Sequence, residues 1–496
     1  MIIPALEAGV NTKNNNLLEN KACRRFVLGV LAMVGVPYEV TKQLFDISRS
    51  YYYSLRIPAE RVLTALFGNG EETPKKILLV TKDFIDRCVM CLSLHCKVPN
   101  EGIVTFFDLV IGYHVSKGGI GRIQKAAVEK AETFDTEIHL ETIKEIAIDE
   151  IFQQGKPVLT GIDLESNYVF LMKATDDRSG ATWAQSLDVQ KERGLNPELV
   201  VSDGGSGLLK GVEQTFPGIE KQPDVFHMLR GLGNEVHAIE KHGQAYLNEY
   251  CDVERRVSKR KWRKLPYNLR KKYRKMNEEI DAYLCKVDDV CILMDWLREC
   301  IGFTGYGYQQ SVFLCEWILD EMSLRFPERR RYQNAIRSFR EHLKELLSFL
   351  LRLRGKMVEK AKEYGNVNEH DFMLLYQQRF CTSLPLYDLM EKRLYQRFGP
   401  RLCEARVTLD EMIRSTRRAS SMIENTNSCL RPFMNTKREV SGDFLILIKV
   451  YLNTKKAMRS RNKNRRGTSA LDRLCGRQYP EFLDIVSTPM NYVYQI

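Results

Sequence analysis

No run in this 496-residue chain comes near the roughly 18 consecutive uncharged apolar residues that a membrane-spanning helix requires. The first residues, MIIPALEAGVNTKNNN, lack a basic start leading into an apolar stretch, so no secretory signal is expected. Thirteen cysteines follow no regular spacing, which argues against a disulfide framework and for reduced thiols in a reducing compartment. Four potential ligands, Cys88, Cys91, His95 and Cys96, fall in the helical-looking run RCVMCLSLHC. That run has no Gly or Pro turn to fold them around one zinc ion, so buried thiols are expected instead. Neither a G-x-G-x-x-G nor a G-K-[ST] phosphate loop occurs, and no Ser-His-Asp or Cys-His set can be assembled with comparable support.

What is present is ordinary in bulk and uneven in charge. An apolar fraction of 44% with 28% charged residues fits a folded soluble protein, and the length suggests three or four domains. The net charge of +12 is concentrated. Residues 255–275, RRVSKRKWRKLPYNLRKKYRK, hold twelve Lys or Arg and no acid, interleaved with Trp262, Tyr267 and Tyr273, and residues 455–466 hold seven more. Such clusters neutralise phosphates and release counterions, giving salt-dependent, sequence-blind binding to nucleic acid. A solvated helix face is the alternative for either run.

Three acids carry the chemistry: Asp149 in KEIAIDEIF, Asp203 in PELVVSDGGSGLLKG and Glu424 in SSMIENTNSCLRPFM. In-line cutting or joining of a phosphodiester uses two divalent cations, and hard cations take carboxylate ligands. Asp149 and Asp203 each close a short aliphatic run (Ile146, Ala147, Ile148; Leu199, Val200, Val201), the pattern of a buried strand whose end meets a ligand. Glu424 would come from a helix packed on that sheet. Glu150 should point to the opposite face of its strand. Asp163 and Glu165, in a hairpin formed by KPVLTGIDLESNYVFLMKATDD, rank lower as ligands because acids beside turns are usually caps. Gly204, Gly205 and Gly207 suggest a tight strand-to-helix turn that lets a DNA backbone approach.

At these residues the chain resembles the DDE transposases of the ribonuclease-H-like superfamily, especially bacterial insertion-sequence and Mutator-like members. The resemblance rests on ELVVSDGGSGLLKGVEQTFPG, on KQPDVFHMLRGL with His227 and Arg230, and on the segment from SMIENTNSCLRPFM to ALDRLCG. In the last, Glu424, Asn427, Ser428 and Arg431 recur at i, i+3, i+4 and i+7. Mutator-type relatives often carry Cys-x-x-His after the second aspartate; here the pair is Asp224 and His227, and its role is left open.

The resemblance implies an α/β ribonuclease-H-like core interrupted by a large all-α insertion and preceded by all-α helix-turn-helix domains. The expected divisions are 1–70 and 76–138 for the two DNA-binding units, 139–235 for the first part of the core, 236–414 for the insertion, and 415–496 for the rest of the core with a basic tail. The first unit has helices around a turn at Asp46-Ile47-Ser48, with Arg49, Ser50, Tyr52 and Tyr53 offered to the major groove. The second breaks at Gly112, is capped by Ser116 and offers Lys117, Gly118, Arg122 and Lys125. In the insertion, Arg260, Arg263, Lys264, Lys271 and Lys272 are the expected DNA contacts, and Leu343, Leu346, Leu347 and Leu350 form an apolar stripe expected to be core.

The activity so implied is cleavage at element ends and strand transfer into target DNA. Asp149, Asp203 and Glu424 would hold two Mg2+ ions, with Mn2+ able to substitute, while His227, Arg230, Asn427 and Arg431 would support the acids or position phosphate. Double-stranded DNA and further copies of the chain are the implied partners, in a bacterial cytoplasm beside the nucleoid. The alternatives are a transposase-derived DNA-binding protein that no longer cuts and a junction nuclease on the same core.

Overall fold

The computed structural model describes residues 21–67, 80–437, 439–460 and 465–487. The chain divides into two compact units, residues 1–85 and 86–496.

The first unit contains α1 (Lys21–Met33), α2 (Tyr38–Phe45), α3 (Arg49–Ser54) and α4 (Arg56–Phe67). The punctuation expected from sequence is present. Gly35 takes a left-handed conformation after α1, Asp46 does the same after α2, and the Ser48 hydroxyl accepts the Tyr51 N–H to cap α3. One expected DNA contact is corrected: Tyr52 is 0% exposed. Its ring packs with Leu28, Leu31, Ala32 and Phe45, and its hydroxyl donates to the Val36 carbonyl at 2.9 Å. An aromatic ring of this size contributes more to a small core than a groove contact would return. Arg49, Ser50 and Tyr53 are exposed. Residues 1–20 and 68–79 lie outside the described residues.

Helix α5 (Lys82–Met90) crosses the division, and the second unit goes on with a π-helical turn at Cys91–His95, then α6 (Asn100–Phe106), a second π turn at Phe107–Ile111 and α7 (Lys117–Thr136). Gly112 and the Ser116 cap separate the last two as expected. The cysteine run is helical; Cys88 and Cys91 are half-buried, and the expectation of buried thiols is corrected at Cys96, which is exposed. Burial still pushes the Cys88 and Cys91 thiols up, keeping them neutral.

A mixed five-stranded sheet follows, of order β3-β2-β1-β4-β5. Its strands are β1 (Glu145–Gln153), β2 (Lys156–Asp163), β3 (Val169–Ala174), β4 (Leu199–Ser202) and β5 (Glu220–Pro223), with α8 (Gly180–Glu192) and α9 (Ser206–Thr215) between them. The first three strands are antiparallel neighbours, and β4 and β5 run parallel to β1. Alternation along the strands separates two apolar layers. Ala147, Ile151, Val158, Ile162, Leu199 and Val201 belong to one layer; Ile146, Ile148, Leu159, Phe170 and Val200 belong to the other. The second layer is covered by α8 and α9, which approach so closely that a Cβ on Gly211 would lie 2.3 Å from that of Trp183.

From Val225 to Ser415 the described chain is helical: α10 (Val225–Ser258), α11 (Tyr267–Cys300), α12 (Tyr308–Arg325), α13 (Arg330–Leu346), α14 (Ser348–Ala361), α15 (Glu369–Arg379), α16 (Leu384–Phe398) and α17 (Leu402–Ser415). Helix α10 starts directly after β5 and runs unbroken through residue 235, because no Gly-Pro turn interrupts its amphipathic pattern. Leu343, Leu346, Leu347 and Leu350 are all buried, yet they are shared by two helices that join at Leu347.

The chain then returns to the sheet with α18 (Ser421–Thr436), α19 (Gly442–Thr454), α20 (Ala470–Cys475) and α21 (Phe482–Val486). Residues of α18 and α19 complete the first apolar layer with residues of α7. A buried charge network fastens these helices. Lys449 Nζ donates to Asp135 Oδ2 at 2.7 Å, Arg193 pairs with the same carboxylate, and Tyr168 Oη donates to its Oδ1. Among the described residues, no helix is long and apolar enough to cross a membrane.

Candidate active site

Asp149 and Asp203 are 54 positions apart, and β1 and β4 pair with the same offset, Glu145 beside Leu199 through Ala147 beside Val201. Continuing that register sets the two acids abreast on the same face of the sheet. Asp203 follows the last residue of β4, as expected. Asp149 does not end its strand: β1 continues to Gln153 because it pairs along its whole length with β2.

Asp149 is 8% exposed and held at both oxygens. Its Oδ1 accepts the Glu150 N–H at 2.8 Å, and its Oδ2 accepts Asn427 Nδ2 at 2.7 Å. Thr160, opposite Asp149 on β2, donates to the Asp149 carbonyl at 3.0 Å and to Asn427 Oδ1 at 3.3 Å. Asn427, placed by α18, is therefore a support for Asp149, while Ser428 turns outward and its hydroxyl donates to the Asn425 carbonyl. Thr160 was missed from sequence, since a threonine inside a hairpin strand carries no distinguishing signal. Glu150 faces the other layer as alternation requires, accepting Trp183 Nε1 at 3.0 Å and pairing with Arg178.

Glu424 sits in the first turn of α18, half-buried. Its Oε1 lies 3.4 Å from His227 Nε2, a buried atom without an aligned hydrogen bond, and its Oε2 lies 3.5 Å from Arg431. His227 occupies the first turn of α10, and Arg230 is exposed one turn further on. Asp203 is exposed, with Oδ1 accepting the Gly205 N–H at 3.1 Å. Gly204 has φ +85°, the turn that a strand-to-helix reversal needs, whereas a Cβ on Gly207 would strike the Arg178 carbonyl at 2.1 Å, so this glycine serves packing of α9.

Burial pushes the Asp149 carboxyl up to about 6; the Glu150 N–H opposes this, the charges of Asp203 and Glu424 add to it and His227 counters it. Asp203, Glu424 and His227 are thus each within electrostatic reach of Asp149. The donors suit a hard divalent cation in kind, and a cation would relieve the crowding of negative charge. Among the described residues, however, no three Asp, Glu, His or Cys side chains are gathered closely enough to cage an ion by themselves.

A test of Asp149 follows from the sign of its shift. An acid whose folded-state value lies above its unfolded one binds more protons when folded, so its charge costs stability as pH rises from about 4 to above 6. Whatever its constant effect, Asp149→Asn should gain on wild type by up to about 2–3 kcal/mol between pH 4 and pH 8 in urea unfolding without divalent cations. A difference that does not change with pH would contradict the assignment.

The other expected contacts are distributed. Lys117 Nζ pairs with Glu101 at 2.5 Å, and Arg122 and Lys125 are exposed on α7. The basic run 255–275 forms the tip joining α10 and α11, two 34-residue helices. At 1.5 Å per residue each is about 50 Å long. Gly243 lets these helices approach, its Cβ position lying 3.0 Å from Val287. At the tip Leu265 is buried, Tyr250 stacks on Tyr273, and the Arg274 guanidinium lies 5.4 Å over Trp262. Arg260, Arg263, Lys264 and Lys271 are exposed, while Lys272 pairs with Glu249. In the second basic run, residues 461–464 lie outside the described residues.

Residues 146–359 match the profile of a transposase family, the DDE transposases of the ISL3 type. The chain is a relative of the DDE insertion-sequence transposases. It is 22% identical over 183 residues to a transposase for insertion sequence element IS1201 of Lactobacillus helveticus, covering 34% of this chain and 49% of that protein. It is 24% identical over 150 residues to a transposase for insertion sequence element IS905 of Lactococcus lactis subsp. lactis (strain IL1403), covering 28% of this chain and 38% of that protein. The chain thus spans about half or less of the length of these curated relatives. In this transposase relative the family match includes Asp149, Asp203 and His227 and stops before Glu424.

Proposed function

We propose that this chain is a transposase with a ribonuclease-H-like core, cutting DNA at the ends of a mobile element and joining the freed 3′ ends to target DNA. The observation that carries this is the register of β1 and β4, which continued sets Asp203, just past the end of β4, abreast of Asp149, with Glu424 of α18 within electrostatic reach of Asp149 although 221 positions beyond Asp203 in sequence. The family match over residues 146–359 and the printed names of the relatives support transposition as the process.

Two Mg2+ ions held by Asp149, Asp203 and Glu424 would supply activation of the attacking oxygen and stabilisation of the leaving one. The chain's own residues do the positioning. Asn427 and Thr160 fix the rotamer of Asp149, His227 and Arg431 flank Glu424, and the exposure of Asp203 leaves it open to a DNA backbone. No covalent enzyme intermediate is needed, so catalysis is positioning with electrostatic stabilisation. The basic tip of α10 and α11 would hold DNA phosphates, the helices before the sheet would read the element ends, and two ends held together call for at least two copies of the chain.

The test is a strand-transfer assay with purified protein, Mg2+ and DNA carrying the element's own ends. Nicked and joined products are expected, and none with EDTA. DNA binding without either product would favour the second reading, a transposase-derived DNA-binding protein, which the absence of a three-ligand cage among the described residues keeps in view.

A further inference from the structure

Asp224 and His227, the pair whose role sequence left open, stand where the insertion leaves the core. Asp224 is 1% exposed, and its main-chain N–H donates to the carbonyl of Ser202, the residue before Asp203, at 2.8 Å. Its Oδ1 caps α10, accepting the N–H groups of Phe226 at 2.7 Å and His227 at 3.3 Å. Its Oδ2 reaches across 196 positions of sequence and accepts the N–H of Ser420 at 3.0 Å together with the Ser420 hydroxyl. Ser420 is 3% exposed, and its own carbonyl accepts the N–H groups of Ile423 at 2.8 Å and Glu424 at 3.4 Å, opening α18. A second bond runs the same way, from Val225 N–H to the Arg418 carbonyl at 3.4 Å.

One buried residue therefore joins three parts of the site: its main-chain N–H holds the strand end that precedes Asp203, and its carboxylate holds the helix turn that carries His227 and the residue that starts the helix of Glu424. We propose that Asp224 is a positioning residue: it pins the two ends of the helical insertion together and so sets Glu424 and His227 against Asp149 and Asp203. The inference rests on the acidic-triad reading for its functional meaning, but the clamp itself is a property of the chain alone. Charge-assisted acceptance of four donors by one carboxylate is strong and directional. Separating the two ends of the insertion would break these bonds.

Asp224→Asn separates the two jobs. Asparagine caps helices as well as aspartate, so its oxygen can keep the α10 cap, while its NH2 then faces the Ser420 N–H donor to donor. Hydrogen exchange on the full-length protein without metal or DNA is expected to rise about tenfold or more at the amides of Ser420–Glu424, with α10 and β1 unchanged. Binding of Mn2+ alone, followed by calorimetry, is expected to weaken about tenfold, the usual effect of losing a group that orients a ligand. Ser420→Ala, which removes only the hydroxyl, should move both readouts the same way by less, and it serves if Asp224→Asn does not fold.

A lowered melting temperature with unchanged exchange at Ser420–Glu424 would overturn the proposal and leave Asp224 a plain helix cap. Unchanged Mn2+ binding in Asp224→Asn, where Asp203→Asn and Glu424→Gln weaken it, would likewise show that the clamp does not set the acids. If neither Asp203→Asn nor Glu424→Gln alters Mn2+ binding, the triad reading fails instead, and the exchange data still decide the clamp.

Discussion

Asp203→Asn and Glu424→Gln are each expected to lower DNA cleavage and strand joining in Mg2+ by about 10^3-fold or more, with binding to the same DNA held within about threefold. Both changes keep side-chain shape and remove one negative charge. Asp203 is exposed and Glu424 half-buried, so neither amide disturbs a core. Glu424→Gln also leaves His227 and Arg431 facing a neutral group, which weakens one half-buried contact and one surface contact. Asp149→Asn should be equally inactive but is a less clean test, because both Asp149 oxygens accept N–H donors and an amide nitrogen must oppose one of them. The matching control is Glu150→Gln, one residue away on the opposite face of β1, which should retain activity within a few-fold. Radiolabelled end-joining with all four variants decides the matter. A rate above about a tenth of wild type in Asp203→Asn or Glu424→Gln would remove that residue from the catalytic set.

The second large effect is expected at the tip of the α10–α11 hairpin. Replacing Arg260, Arg263, Lys264 and Lys271 together by Gln should weaken DNA binding about 10^2- to 10^3-fold at 0.1 M salt and flatten the dependence of log K on log salt by about 3 to 4. These four are exposed in a stretch of twelve cations without an acid, so little but water and counterions competes for them. Lys272 and Arg255 are poorer choices, since Glu249 and Asp252 already engage them. The loss should be the same for element-end DNA and for unrelated DNA, because phosphate contacts carry no sequence information. The tip is remote from any apolar cluster except around Leu265, so the melting temperature should not change. Fluorescence anisotropy across a salt series checks both quantities. Unaltered affinity would mean that the run is only a solvated surface.

Much of the sheet was legible beforehand because its signals are local. The turn at Glu165-Ser166-Asn167 separates β2 from β3 where expected, and Asp163 is a turn cap, accepting the Ser166 N–H at 2.7 Å. The opposite facings of Asp149 and Glu150 followed from the two-residue period of a strand. Tyr52 was misplaced because helical periodicity at α3 sets a polar-looking face beside an apolar one, and a tyrosine suits either. Its burial is decided by what α1 and α2 bring to it. The strand position of Asp149 was misjudged for a similar reason: an acid looks like a terminus unless a partner is known to satisfy it, and that partner, Asn427, is 278 positions away.

Sequence by itself determined the chemistry available to this protein: which acids can face a cation, where positive charge accumulates, and where strands give way to helices. These depend on residue type and on periods of two or 3.6 residues, which any local stretch displays. Only the tertiary structure decided which of those groups meet. The register that sets Asp149 beside Asp203, the contact of Glu424 with His227 and the hold of Asp224 on Ser420 all join residues far apart in the chain. Such pairings are fixed by strand order and by complementary packing of apolar layers, and neither leaves a periodic trace in the sequence.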